Sequence, residues 1–324
     1  MQAIVQDVYG GADVLEVREI EPPRVGKDDI LVRVHAAGCG PDVWHLMTGL
    51  PYMVRVMGSG LRAPKLPVRG RDVAGRVEAV GASITGLKPG DEVMGIVEGA
   101  FAELALTRAD KLVPKPPRLT FEQAAAAPIS GLTALQAVRD VRAAQPGQRV
   151  LIIGAAGGVG TLTVQIATAT GARVTGVCST SKVDLVRSIG ADEVIDYTRE
   201  DFADGTRRWD GIVDTAGRRP LSVLRRALAP RGTLVIVGGE GGGRWTGGFF
   251  RQILRAPVLS LFSAQRLRPV IPKETLENLQ ALAELIEAGA VTPVVDSTYP
   301  LSEAPEALRH LEKGHPAGKI VITV

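Results

Sequence analysis

The stretch that decides the fold is RVLIIGAAGGVGTLTVQIATATGARVTGVCS, residues 149–179. An apolar strand pattern is followed by a glycine-rich turn, by a helical pattern that ends at Gly171, and by a second apolar strand. The turn glycines, Gly154, Gly157 and Gly160, permit a tight turn and let the backbone approach a diphosphate closely. Because the N–H groups at a helix start attract anions, this order of elements predicts a dinucleotide-binding unit.

The end of the second strand predicts which dinucleotide binds. An enzyme that uses NADH places Asp or Glu about 20 residues beyond the glycines, where the carboxylate binds the ribose hydroxyls. This chain has a thiol, three hydroxyls and a cation there: Cys178, Ser179, Thr180, Ser181 and Lys182. Asp184 comes later, inside a helix. Hydroxyls and an ammonium suit a 2′-phosphate and favour NADPH, although Lys182 can also be an ordinary solvated lysine.

The rest of the chain divides around this unit. Before residue 120 the sequence has short strand patterns such as DILVRVHAAG, residues 29–38, separated by Gly, Pro and Asp, which predicts an all-β domain of the small-barrel type. Beyond it, strand and helix patterns alternate, and the strands are almost entirely apolar. This alternation predicts a parallel sheet with helices on both faces, and therefore an α/β fold with a second, β-rich domain.

The segment EGGGRWTGGFFRQILRAPVLSLFSAQRLRPV, residues 240–270, interrupts the alternation. It has a surplus of apolar residues: Phe249, Phe250, Ile253, Leu254, Leu259, Leu261 and Phe262. An apolar stripe is usually packing, which favours a core or dimer-interface helix. The alternative is a lip over the substrate.

The composition argues against several classes of protein. The chain has 38 basic and 35 acidic residues and a net charge of +3, with no sign of a nucleic-acid groove. No apolar run approaches the ~20 residues of a membrane helix, and the N-terminus has no signal-peptide pattern. Its two cysteines, Cys39 and Cys178, are far apart and predict no disulfide framework. We therefore expect a cytoplasmic protein that has neither nucleic acid nor membrane as a partner.

Several motifs together resemble the medium-chain dehydrogenase/reductase family, in its zinc-independent quinone oxidoreductase and enone reductase branch. They are GRDVAGRVEAVG (70–81), KPGDEV (88–93), AAAAPISGLTALQAV (124–138), GAAGGVG (154–160), GADEVIDY (190–197) and GHPAGKIVITV (314–324). The resemblance covers essentially the whole chain. It implies a GroES-like substrate domain over residues 1–123 and 265–324, a Rossmann domain over 124–264, a cofactor in the cleft between them, and a homodimer.

The resemblance also assigns cofactor-binding residues. At the diphosphate it implies the turn residues Gly154, Gly157, Gly158, Val159 and Gly160. Around the 2′-phosphate it implies Ser179, Lys182 and Tyr197. Thr133 is expected near the nicotinamide, and Lys319 is expected to contact the cofactor.

Zinc enzymes of this family carry Cys in a CGxD stretch and His in a GHE stretch. Here CGPD supplies Cys39, but the second stretch is GRD, where Arg71 replaces the histidine. A guanidinium has no lone pair for a metal, so we expect no metal site and expect Arg71 and Asp72 to form a charge pair. The alternative is a zinc alcohol dehydrogenase whose ligands are Cys39, His45 and Asp72.

Without a metal, the substrate is expected to be a quinone or an α,β-unsaturated carbonyl that accepts hydride from NADPH. Donors near its oxygen are expected from Trp44, His45 and Tyr52, and it stays open whether Trp44 or His45 faces the nicotinamide. The expected apolar walls are Met47, Met53, Leu261 and Phe262. A further alternative is a cofactor-binding regulatory or structural protein with little turnover.

Overall fold

The fold is described from a computed structural model, which covers residues 1–140, 144–239, 243–261, 263–314 and 316–324. Its strands are β1 Gln2–Val5, β2 Glu16–Glu19, β3 Asp29–Cys39, β4 Asp72–Val80, β5 Glu92–Ile96, β6 Leu104–Arg108, β7 Leu112–Pro114, β8 Arg149–Ile153, β9 Arg173–Cys178, β10 Glu193–Asp196, β11 Trp209–Asp214, β12 Leu228–Ile236, β13 Arg266–Pro269, β14 Val295–Pro300 and β15 Lys319–Thr323. Its helices are α1 Pro41–Thr48, α2 Tyr52–Val54, α3 Phe121–Ala125, α4 Pro128–Leu135, α5 Gly158–Ala169, α6 Val183–Ser188, α7 Leu221–Ala227, α8 Gly247–Leu261, α9 Leu276–Glu287 and α10 Ala304–Glu312. Short 3-10 or π turns flank several of these elements.

The chain forms two compact units. The first contains Met1–Leu132, Lys273–Gly289 and Pro293–Val324, and the second contains Thr133–Pro272 and Ala290–Thr292. The chain thus returns to its first unit after the second, in the order expected, but the boundaries lie eight or nine residues beyond those expected from the sequence.

The expected boundary near 265 and the division into compact units differ because β13 pairs within the second unit. Its sequence, RLRP, alternates basic and other residues and does not have the apolar pattern of the other strands. It nevertheless pairs in parallel with β12 and completes the sheet of the second unit.

The first unit is strand-rich, as its sequence predicts. Within the described residues its larger sheet has the order β14-β15-β3-β4-β5-β7, with β6 paired to β3, and β1 pairs with β2 separately. The strand β14 begins at Val295, two residues after Pro293, and lies at the edge of this sheet beside β15.

The second unit is the predicted doubly wound sheet. Its six strands in the described residues run parallel in the order β10-β9-β8-β11-β12-β13. This order reverses between β8 and β11, and dinucleotide-binding folds place their ligand at the carboxyl ends of the strands at such a reversal.

Helix α8, Gly247–Leu261, occupies the middle of the segment that interrupts the alternation. Phe249 and Leu259 pack against the core of the second unit, which agrees with a packing role for one face. The opposite side leaves Leu254 and Val258 71% and 55% exposed. Phe262 and the side chain of Leu261 lie outside the described residues, so their expected place in a substrate wall stays a prediction.

Among the helices that the structure describes, none is both long enough and apolar enough to cross a bilayer.

Candidate active site

The glycine turn after β8 has the geometry that a close backbone approach requires. Gly154 has a φ of +80°, where a side chain is strained. A Cβ atom on Gly160 would lie 2.0 Å from the carbonyl oxygen of Gly154, so only glycine fits there. A Cβ atom on Gly157 would meet its nearest atom at 3.5 Å, so space inside the fold does not require that glycine.

Helix α5 begins directly after this turn without a side-chain cap. Gly157 is its N-cap, and no side chain accepts a hydrogen bond from the first turn. Within the described residues, the N–H groups of Gly158, Val159 and Gly160 have no acceptor. Three free donors and the positive end of a 12-residue helix form a site that fits a diphosphate.

The ends of β9 and β10 bring together two of the residues expected at the 2′-phosphate. Cys178 is paired with Asp196, so Ser179 and Tyr197 follow neighbouring strand ends. The N–H of Tyr197 donates to the Cys178 oxygen at 3.1 Å, and its side chain is half exposed. The third residue, Lys182, ends the 3-10 turn that leads into α6.

A carboxylate that the sequence argument did not consider lies at this same edge. Asp196 accepts a hydrogen bond from the Thr180 hydroxyl at 2.5 Å and a second from Thr198 at 2.7 Å. The Thr180 bond, more than any other contact, holds the pKa of Asp196 below its ordinary value. Arg199 lies 3.4 Å from the same carboxylate and brings a further cation. The pairing of β10 with β9 puts Asp196 here, and sequence spacing from the glycines does not reveal it.

A second carboxylate ends β11 beside the turn. Asp214 is fully buried and accepts N–H donors from Ala216 and Gly217, but its Oδ2 has no partner. Burial raises the pKa of Asp214 to about 6, against the effect of the two N–H donors. The next residue, Thr215, donates its hydroxyl to the Ile153 carbonyl at 2.8 Å and so ties this strand end to the glycine turn.

Thr133, expected near the nicotinamide, lies in α4 and is almost fully buried. Its role stays a prediction.

The proposed donors in the first unit lie on α1 and α2. The indole N–H of Trp44 donates to Glu312 at 2.9 Å, which removes it from the donors expected to face a substrate. His45 Nδ1 lies 2.6 Å from the carbonyl oxygen of Leu50. Because a carbonyl can only accept, this nitrogen carries the proton, and Nε2 of a neutral ring is then an acceptor.

Tyr52 begins α2 and its ring lies under a guanidinium. The Arg55 guanidinium is 4.9 Å from the centre of the Tyr52 ring and 4.2 Å from that of Tyr9. Arg55 also donates to the carbonyls of Gly49 and Thr48, at 2.9 and 3.2 Å. These contacts fix Tyr52 beside a cation.

The two methionines expected in the substrate wall differ in their surroundings. Met47 is fully buried in the hydrophobic core of the first unit, so the prediction that it lines the substrate is wrong. It points inward because it lies one turn of α1 beyond Val43, on the same apolar face. Met53 is half-buried, and its role stays a prediction.

Arg71 and Asp72 do not form the expected charge pair. Arg71 binds Glu274 at 2.8 Å and Glu98 at 3.5 Å, whereas Asp72 binds Lys319 Nζ at 2.7 Å. Consecutive residues at a strand start face opposite sides, which separates the two side chains. Lys319 is buried and donates to Asp72 and Ser130, and its expected contact with the cofactor stays a prediction. Burial opposes its charge, but Asp72 and Asp42 outweigh that effect and raise the pKa of Lys319.

The residues around Cys39 do not fit a zinc ion. Burial raises the pKa of the Cys39 thiol to about 12, and Arg71 stands where zinc enzymes of the family carry their histidine. The Asp72 carboxylate is occupied by Lys319 and by the N–H of Ile129. Among the described residues, no three His, Cys, Asp or Glu side chains stand close enough together to hold a metal.

Two family models match the chain. Residues 26–117 match the alcohol dehydrogenase GroES-like domain, and residues 189–322 match a domain described as a zinc-binding dehydrogenase. The second description concerns the family, and the donor set around Cys39 departs from it.

Similar curated proteins cover almost the whole chain. A quinone oxidoreductase of Pseudomonas aeruginosa is 34% identical over 97% of this chain and 97% of its own length. A chloroplast envelope quinone oxidoreductase homolog of Arabidopsis thaliana is 30% identical over 99% of this chain and 98% of its own length. A 2-methylene-furan-3-one reductase of Solanum lycopersicum is 30% identical over 97% of this chain and 76% of its own length.

Solved structures resemble the chain over its full length. A quinone oxidoreductase from Coxiella burnetii superposes with a TM-score of 0.86 at 29% identity and covers 100% of this chain and 99% of its own. A mycobacterial protein solved in complex with NADPH superposes with a TM-score of 0.83 at 29% identity, over 100% of both chains.

Proposed function

The chain belongs to the medium-chain dehydrogenase/reductase superfamily, in its quinone oxidoreductase branch, and on this basis we propose that it is an NADPH-dependent reductase of quinones or α,β-unsaturated carbonyls. The observation that carries the proposal is the glycine turn before α5. It presents the free N–H groups of Gly158, Val159 and Gly160 at the carboxyl end of the sheet, which suits a dinucleotide diphosphate. A similar protein was solved with NADPH, and others are quinone or NAD(P)H oxidoreductases.

The preference for NADPH rests on the ends of β9 and β10. Lys182 and the Ser179 hydroxyl are suited to a 2′-phosphate, and Arg199 adds positive charge nearby. Asp196 acts against this preference, but its carboxylate is occupied by Thr180 and Thr198. The balance of charge at this edge therefore favours the phosphorylated cofactor.

When bound, the nicotinamide supplies the hydride, and the chain positions and polarises the acceptor. His45 holds its Nδ1 proton toward Leu50, so only the doubly protonated ring donates from Nε2 to a substrate oxygen. Tyr52 supplies a hydroxyl next to the Arg55 cation, which favours negative charge in its vicinity. Solvent supplies the final proton.

No step in this proposal uses zinc. The carboxylate of Asp72 is occupied by the buried ammonium of Lys319, and Arg71 has no lone pair for a metal. We also propose that the protein is a cytoplasmic homodimer, in line with its two buried free cysteines and the exposed apolar side of α8.

The test is NADPH consumption by purified protein with a panel of small quinones, enones and simple aldehydes. We expect oxidation with quinones or enones, and we expect treatment with a chelator to leave the rate unchanged. Loss of activity to the chelator, restored by zinc, would support a zinc alcohol dehydrogenase instead. NADPH binding without oxidation across the panel would support a regulatory protein.

A further inference from the structure

The first unit carries a basic stretch that the proposed reaction does not use. Between Asp42 and Asp72 the chain has no acidic residue. It has five cations there: Arg55, Arg62, Lys65, Arg69 and Arg71. Arg71 is neutralised by Glu274 and Glu98. Arg69 differs from the others because it is buried.

Arg69 has no partner for its charge among the described residues. Only 5% of the residue is exposed, its Nε is buried without a hydrogen bond, and no carboxylate lies within ion-pair distance. Glu98 affects its charge from farther away, but that carboxylate is half exposed and lies 3.5 Å from Arg71. Burial lowers the pKa of the Arg69 guanidinium, yet an arginine stays charged.

A buried cation without a counter-ion is unfavourable in a folded chain. An anion from outside the chain would supply the missing negative charge. The position of Arg69 in the fold is rigid, because its N–H donates to Ile4 and its carbonyl accepts from Phe101. Of its side-chain nitrogens only Nε is fully buried, and the two Nη atoms have no partner among the described residues, so an anion from outside the fold can reach them.

A buried acceptor lies on the neighbouring strand. Gln6 is paired through its N–H to Pro67, so its side chain is on the same face as that of Arg69. Gln6 Oε1 is buried and has no partner. Gln6 Oε1 and Arg69 Nε are therefore two unpartnered polar atoms on one face, and neither offers a negative charge to the guanidinium.

The surroundings add a second cation. The charges of both Arg55 and Arg69 act on the Tyr9 hydroxyl, which donates to the carbonyls of Ser59 and Gly60 at 2.8 and 2.7 Å. Arg55 also has no carboxylate partner among the described residues, and it stacks on Tyr52. The cluster is therefore positive and is continuous with a proposed substrate donor.

We propose that Arg69 binds an anionic group of the substrate, a carboxylate or a phosphate, so that the preferred acceptors are negatively charged enones or quinones. The inference rests on the proposed function and specifies its substrate class. A planar guanidinium can bind either oxyanion through two parallel N–H bonds. Arg55 supports it with a second positive charge.

The test compares acetylacrylate, an enone with a carboxylate, with its neutral methyl ester. Reduction of acetylacrylate adds a hydride from NADPH and a proton from solvent across the C=C bond, and yields levulinate and NADP⁺. We expect wild type to prefer the carboxylate. We expect Arg69→Leu to lower kcat/KM for acetylacrylate by about 30-fold or more and to leave the ester unchanged. Arg69→Lys should recover part of the loss, because it keeps the charge but not the paired N–H bonds.

Arg62→Leu is the matched control, because it removes one exposed cation from the same stretch. We expect Arg62→Leu to have a kcat/KM within about twofold of wild type for both substrates, since surface charges interact weakly in salt. Folding is checked by Tm, which should not fall in Arg69→Leu, because the substitution removes an unpaired buried charge. Inhibition by inorganic phosphate at saturating NADPH, stronger than by acetate and lost in Arg69→Leu, would identify a phosphate-bearing substrate within the same proposal.

Calorimetry with levulinate, which has no reducible C=C bond, separates this inference from the proposed function. Levulinate binding that is lost in Arg69→Leu supports the anion site even if no substrate is reduced. Equal kcat/KM for acetylacrylate and its ester in wild type, or levulinate binding that survives in Arg69→Leu, would overturn the inference.

Discussion

Lys182 and Asp196 place opposite charges at the edge where the two strand ends β9 and β10 meet. The carboxylate is held by two threonine hydroxyls, so its charge is partly satisfied before any ligand arrives. Lys182 ends the 3-10 turn after β9 and is the N-cap of α6. At the scale of single residues, cofactor preference therefore depends on how much of the lysine charge remains for a phosphate.

Lys182→Glu tests this assignment. We expect the KM for NADPH to rise by roughly tenfold or more, because a charge-assisted bond is replaced by repulsion, while the KM for NADH changes little. The control is Arg187→Glu, the same charge change on the exposed side of α6. An unchanged KM for NADPH in Lys182→Glu would show that the 2′-phosphate is bound elsewhere.

Asp214 gives a prediction for pH. Its pKa is about 6 in the folded chain against an ordinary value of 3.8, so between these values the folded state holds a proton that the unfolded state has lost. The contribution of protonated Asp214 to the free energy of unfolding is therefore present at low pH and is lost as the pH rises toward and through 6. Asn at this position keeps an acceptor for Ala216 and Gly217 but cannot ionise.

The measurement is chemical denaturation of wild type and Asp214→Asn at two pH values. From about pH 5 to about pH 8, we expect the free energy of unfolding of Asp214→Asn to rise relative to that of wild type by on the order of 1 kcal/mol. Asp184→Asn, at a fully exposed carboxylate, should show no such change. A difference that is the same at both pH values would mean that Asp214 is ionised throughout.

At the scale of elements, the glycine turn and the start of α5 together form the proposed diphosphate site. Gly160 is required by the carbonyl of Gly154, whereas Gly157 has room for a methyl group inside the fold. The second glycine of such a turn is the one that lets the backbone approach the diphosphate. Gly160 is therefore needed for folding, whereas Gly157 is needed only for binding the diphosphate.

Gly157→Ala should keep the wild-type Tm and weaken dinucleotide binding by roughly tenfold or more, because the methyl group enters the space of the diphosphate. Gly160→Ala should lower both Tm and binding, because its Cβ would lie 2.0 Å from the Gly154 oxygen. Thermal unfolding and fluorescence titration with NADPH distinguish the two. Wild-type binding by Gly157→Ala would exclude this turn as the diphosphate site.

The elements that the sequence predicted well are those with local signals. The apolar strands β8, β9, β11 and β12 and the glycine turn each have a pattern that depends only on neighbouring residues. What was missed depends on partners distant in sequence. The strand β13 is recognisable only by its pairing with β12, and Asp196 reaches Thr180 only because β10 pairs with β9.

The first unit shows the same limit at its side chains. Arg71 and Asp72 are neighbours in sequence, but their partners, Glu274 and Lys319, are about 200 and 250 residues away. The indole N–H of Trp44 donates to Glu312, and no local sequence pattern indicates this contact. Periodicity does explain the burial of Met47 on the apolar face of α1, and that signal was available in the sequence.

At the scale of the whole molecule, the exposed apolar side of α8 bears on assembly. Leu254 and Val258 lie one helical turn apart and are largely exposed, an arrangement that usually marks an interface. We expect the protein to sediment as a dimer of its 34.2 kDa chain. Leu254→Glu should shift it to the monomer, because a charge would then be buried in the interface.

Leu61→Glu is the control for this prediction, since Leu61 is 70% exposed in the first unit, close to the 71% of Leu254. We expect it to remain a dimer. A wild-type protein that sediments as a monomer would contradict the assignment.

The central claim is that the folded chain binds a reduced nicotinamide dinucleotide at the turn before α5 and prefers the phosphorylated form. Calorimetric titration of the purified protein with NADPH and with NADH tests it most directly. We expect one NADPH per chain, bound about tenfold or more tightly than NADH, because one additional charge-assisted contact has about that effect. Absence of binding by either dinucleotide would contradict the account, and tighter binding of NADH would contradict its cofactor preference.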